Sequence, residues 1–74
     1  MYSVVIKLKE EEKELQRRNF KESQEKAEKY FNLLKTDILS HKKDAFYDES
    51  ENIKYSDIII SLFEDDKEIS HFNR

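Results

Sequence analysis

The chain contains no cysteine, no glycine and no proline. Without cysteine there is neither a disulfide framework nor a thiolate zinc site, which suits a reducing compartment. Without glycine there is no phosphate-binding P-loop, no dinucleotide fingerprint and no glycine-rich oxyanion loop. Tight hairpin turns must then rest on Asn, Asp or Ser. Long apolar runs are lacking too. The longest, IIISLF, is broken by Ser61, so nothing in the sequence is expected to span a bilayer. The opening MYSVVIKLKE has no cationic start and no apolar stretch of useful length, so it does not read as a signal peptide. Histidine is scarce, and His41 and His71 are too few for a rich metal site. A cytoplasmic protein without metal or cofactor is the expectation.

What is present has the size of one domain, 74 residues. Such a domain buries only about 60% of its unfolded surface and is marginal alone. Small scaffolds usually add disulfides, a metal or oligomerisation. Here the remaining support is self-association or a larger partner. Charged residues make up 42% of the chain and hydrophobic ones 36%, close to the composition of disordered chains, but four Tyr and five Phe argue for a folded core.

The charge is uneven along the chain. Residues 1–43 carry 11 Lys/Arg against 8 Asp/Glu, and residues 44–74 carry 3 against 9, so the halves are net +3 and −6. Such asymmetry points to interaction with charged partners.

The pattern along the chain predicts an α+β fold: a small β-α-β-β domain with one long helix packed on one face of a short antiparallel sheet. Tyr2, Val4, Ile6 and Leu8 alternate with Ser3, Val5 and Lys7, which predicts a strand over about 2–8. A helix is expected over about 10–40, with acidic residues in its first turn and Phe20, Ala27, Phe31, Leu34 and Ile38 on its buried face. Glu14–Arg18, Glu22–Lys26 and Glu25–Lys29 fit i,i+4 pairing on its solvent side. An acidic loop follows over about 44–54, within which AFY could add a short strand. A hairpin over about 57–72 turns at Asp65-Asp66; a helix is the competing reading of that segment, and three consecutive isoleucines favour the strand. Ile58, Ile60 and Leu62 would share one sheet face, and Ile59 and Phe63 the other. One helix covers one face, so the second is a candidate dimer or partner surface unless AFY or the chain ends cover it.

For chemistry the sequence offers little. Acid–base catalysis needs a concave, partly dry site that separates two pKa values, and a chain of this size has little room for one. Ser70-His71 has no nucleophile elbow around it, and EDDKE lacks the spaced oxygen ligands and central glycine of a calcium loop. The protein is therefore read as non-enzymatic, with no catalytic or metal-binding residues.

Two charged features compete as interaction sites. Asp48, Glu49 and Glu51 in the loop, with Glu64, Asp65 and Asp66 at the hairpin turn, could meet a basic groove on a larger protein, in the extreme by imitating nucleic acid. Lys13, Arg17, Arg18 and Lys21 in KELQRRNFK would form a basic helical stripe able to contact phosphates or a second copy. Glutamates interleave that stripe and the whole chain is acidic, so nucleic-acid binding ranks below protein binding. Plain solvation is the bland reading of both features. The favoured expectation is an inhibitor or regulator that covers a surface of a larger protein, a class that includes nucleic-acid-binding proteins; a homodimer is the alternative partner. The Lys/Glu/Ile/Asn-rich style resembles that of a small accessory protein from an AT-rich bacterial or phage genome, such as a phage or mobile-element protein, and no motif points to a family.

Overall fold

A computed structural model describes residues 1–74. The fold is α+β, with a single α-helix packed on one face of an antiparallel sheet, as the sequence pattern implies. Strands β1 (Tyr2–Leu8), β2 (Glu14–Asn19), β5 (Ile58–Glu64) and β6 (Lys67–Phe72) form a sheet in the order β2-β1-β5-β6. Between β2 and β5 come the helix α1 (Gln24–Ser40), the short strands β3 (Phe46–Asp48) and β4 (Ile53–Lys54), which pair with each other, and a 3-10 turn at Tyr55–Asp57.

The sheet follows from alternation. Val4 and Ile6 on β1 sit opposite Leu62 and Ile60 on β5, and all are buried beneath α1. Ala27, Phe31 and Ile38 enter this core from the helix, and Ile53 and Tyr55 close one end of it. The β5–β6 hairpin turns at Asp65-Asp66, as the turn chemistry requires. The AFY segment does supply a strand, β3.

The expected helix over 10–40 is corrected at its start. The helix begins at Gln24, and residues 14–19 of the presumed first turns are the edge strand β2. Ser23 is the N-cap, its hydroxyl accepting from the Lys26 backbone N–H at 3.3 Å. Upstream, Leu8 N–H donates to the Lys13 carbonyl at 2.8 Å, closing a β1–β2 turn through KEEEK. Glu14 therefore pairs with Arg17 at 2.9 Å along a strand, where helical spacing would pair it with Arg18. At the other end of α1, no cation stands in the last turn. The Arg74 guanidinium takes that role, donating to the carbonyls of Ile38 and Leu39 at 3.0 and 3.1 Å and to that of His41.

The face of the sheet turned away from α1 is covered by its own long side chains. Ser3, Val5 and Ser61 lie on it yet are only 3%, 2% and 0% exposed. Arg17 reaches from β2 across β1 to within 5.9 Å of the Phe63 ring centre on β5. On the β6 side, Glu68 accepts from Ser61 Oγ at 3.2 Å and approaches His71 Nδ1 at 3.3 Å. Ala45 and Tyr47 of AFY pack instead against the core on the helix side, and Arg74 binds the C-terminal end of the helix.

Candidate interaction surfaces

The two acidic groups named from the sequence stand at opposite ends of the sheet. Tyr2 pairs with Glu64 at one end of β1, and Leu8 pairs with Ile58 at the other, about 20 Å away at the rise of a strand. Two of the three hairpin-turn acids are engaged within the fold. Glu64 accepts from the Tyr2 hydroxyl at 3.2 Å, and Asp65 accepts from the Met1 amino group at 2.6 Å. Burial first, and the Glu64 carboxylate second, push the Tyr2 phenol above its ordinary value. Asp66 remains as an exposed acid without an ion pair.

At the opposite end the acids accumulate. The β1–β2 turn brings Glu10, Glu11 and Glu14 against the β3–β4 hairpin, which carries Asp48 and Glu51, and Asp57 joins them from the 3-10 turn. They surround two adjoining clefts of about 400 and 490 Å³ that share Leu8, Glu11, Glu51 and Ile53 in their walls. Leu15 and Tyr47 extend the apolar lining of the larger one, and the cations among the lining residues are Lys9 and Lys13. Lys9 N–H donates to the Asp57 carbonyl at 2.8 Å, which fastens the β1–β2 turn to the start of β5. Asp48 accepts from Ser50 Oγ at 2.7 Å, fixing the tight turn at 49–52, where Asn52 takes a left-handed φ of 56°. Glu49 lies in that turn and is exposed. No three of these carboxylates are grouped to hold a metal ion.

Sequence reasoning found Asp48, Glu49 and Glu51 but missed Glu10, Glu11, Glu14 and Asp57. Glu10, Glu11 and Glu14 belong to KEEEKE, whose composition suits a helix start but which forms the β1–β2 turn and the first residue of β2, and Asp57 has no such signal. The charge asymmetry between chain halves therefore does not survive in space, because the acidic end draws from both halves.

The basic stripe is not assembled. Lys13, Arg17, Arg18 and Lys21 lie on a strand and its flanking turns, so Arg17 and Arg18 point to opposite faces. Arg17 lies on the face turned away from α1. Arg18 lies on the helix side, 4.8 Å from the Tyr30 ring and 5.5 Å from that of Phe20, both cation–π distances. Lys13 and Lys21 close turns at opposite ends of β2, and Lys21 takes a left-handed φ of 54°.

A third feature, not seen in the sequence, is an aromatic cluster at the C-terminal end of the helix. His41 stacks on Tyr55 at 4.3 Å, and Tyr47 meets Tyr55 edge-on at 5.8 Å. Burial raises both phenols above their ordinary value, reinforced at Tyr47 by Tyr30, Tyr55 and nearby carboxylates, and at Tyr55 by Asp37. This cluster holds the β3–β4 hairpin against the helix and so positions the acidic end.

No family model matches the chain, and neither the curated proteins nor the solved structures contain a significant match. No helix is long and apolar enough to cross a membrane.

Proposed function

We propose that the protein is a non-enzymatic interaction module, an inhibitor or regulator that covers a surface of a larger protein with its acidic end. One observation carries this reading. Carboxylates from the β1–β2 turn, the β3–β4 hairpin and the 3-10 turn converge around clefts walled by Leu8 and Ile53. A carboxylate-rich rim with a few apolar side chains in its walls suits a basic segment that also offers an apolar side chain. Charge complementarity steers encounter, while the apolar contact holds the complex. The partner is then a protein with a cationic surface, which includes proteins that bind nucleic acid. A reducing cytoplasm is the setting that fits a cysteine-free chain.

The test is affinity capture from a native lysate with and without nuclease, comparing the native chain with Glu11→Lys/Glu51→Lys. A partner kept after nuclease and lost on that double reversal supports the acidic end. Asp65→Lys/Asp66→Lys, at the far end of the sheet, should keep the partner. Loss of binding on the far reversal alone, or retention only while nucleic acid is intact, would overturn the assignment.

A further inference from the structure

We infer that two copies of this chain associate through the outer edge of β6 and the flank of α1 beside it, about a two-fold axis passing next to Asn32 and Ile69. This interface lies away from the acidic end and does not depend on its role.

The sheet order leaves β2 and β6 as edges. Edge strands present unpaired backbone groups, and charged side chains are the usual way to blunt them. β2 is blunted by Arg17 and Arg18, which lie across its two faces. β6 differs. Beside it runs a cleft of about 360 Å³ between strand and helix, with Phe31 and Leu62 in its wall and Ile69 at its rim. Ile69 is 38% exposed, and Leu39, four residues after Lys35 on the helix, is 53% exposed.

The charges on this edge are self-complementary. The helix runs parallel to β6: its N-terminal Gln24 meets Tyr2 at the end where β6 starts, and Lys35 lies 5.0 Å from the Phe72 ring where β6 finishes. Glu28 and Lys35 flank Asn32 in the wall of the cleft. A two-fold axis beside Asn32 sets Glu28 of one copy against Lys35 of the other, twice. On the opposite face of β6, Glu68 and His71 contact each other at 3.3 Å within one copy and are not needed across the axis. An isologous contact demands such self-complementarity, and Glu28 and Lys35 about Asn32 supply it. A two-fold axis beside Ile69 sets Ser70–Phe72 of one copy against residues 66–68 of the other, across the register shift at Ile69, so side chains rather than a regular ladder carry the contact. Self-association also supplies the support that a domain without disulfide or metal lacks.

Sedimentation equilibrium of the full chain, up to millimolar concentration and across a salt series, tests this. The expected result is a concentration-dependent rise from the 9.0 kDa monomer mass to twice that value, weakening with salt. Glu28→Lys turns two attractions into repulsions and should weaken the dimer at least about tenfold. Glu28→Lys/Lys35→Glu should restore it. Both positions are on the exposed helix surface, and circular dichroism checks that each variant is folded. A monomer at every concentration overturns the proposal. So does a dimer that Glu28→Lys leaves unchanged, or one that the double exchange fails to restore.

Discussion

The guanidinium of Arg17 lies 5.9 Å from the ring centre of Phe63, although β1 separates their strands. The side chain therefore lies across the sheet face that α1 does not cover, and Val5 beneath it is 2% exposed. An arginine stem can shield apolar surface while its head stays hydrated. Glu14 holds that head at 2.9 Å. Arg17→Ala should therefore destabilise the fold by about 1 kcal/mol, through lost packing and cation–π attraction. Arg17→Lys, which keeps most of the stem, should cost less. Urea unfolding of both variants measures this, and an alanine variant as stable as the native chain would show that the face needs no cover.

Stability is concentrated in very few side chains. A domain of this length is expected to be stable by about 4–11 kcal/mol. Ile60 is fully buried between helix and sheet, and Ile60→Ala should cost about 2–5 kcal/mol, enough to leave much of the population unfolded. Leu33 is 62% exposed, and Leu33→Ala should stay within about 0.5 kcal/mol of the native chain. Thermal unfolding followed by circular dichroism separates the two, and similar losses would mean that the helix is docked differently.

The phenols give a pH dependence with a defined sign. Tyr2, Tyr47 and Tyr55 are all raised above the ordinary value of 10.0, in each case first by burial. A raised phenol favours the neutral form in the folded state. The associated stability is complete below the unfolded value and is lost as pH rises through the higher folded value. Phenolate absorbance against pH should show these three ionising late, and Tyr47→Phe should remove one late step. Ionisation of Tyr2, Tyr47 and Tyr55 at the ordinary value in the folded protein would contradict their burial.

The parts of the fold legible in the sequence are those where one face is apolar. Tyr2, Val4, Ile6 and Leu8 alternate because they meet a helix, and Asp65-Asp66 marks a turn because both flanking runs are strand-like. β2 has no such pattern. ELQRRN sits at an edge with polar groups on both faces, and Glu, Gln and Arg are also good helix formers. Local propensity therefore pointed to helix, and pairing with β1 overrode it. Ser23, a good N-cap directly ahead of the apolar face that starts at Ala27, was the available sign that the helix begins late. A helix from 10 to 40 would also have been very long for so small a domain. The acidic end was half legible for the same reason. Its loop acids stand in a recognisable turn, whereas Glu10, Glu11 and Glu14 reach it only because the misread segment doubles back.

The absence of glycine has a measurable cost. Glu12, Lys21, Asn52 and Asp65 take φ of 53°, 54°, 56° and 54°, each in a turn and each in the left-handed region. For a residue with a β-carbon this region costs about 1–2 kcal/mol, less for Asn and Asp, whose side chains can bond locally. Glycine removes that strain but gives the unfolded chain more freedom, which returns about 0.4–1 kcal/mol. The balance should favour Glu12→Gly and Lys21→Gly by about 0.5–1 kcal/mol. Asn52→Gly should be close to neutral. Asp65→Gly should gain least or lose, because it also removes the carboxylate that accepts from the Met1 amino group at 2.6 Å. Urea midpoints for the four variants test the order. If Glu12→Gly and Lys21→Gly both destabilise, these turns are held by their side chains, and backbone strain is not what limits them.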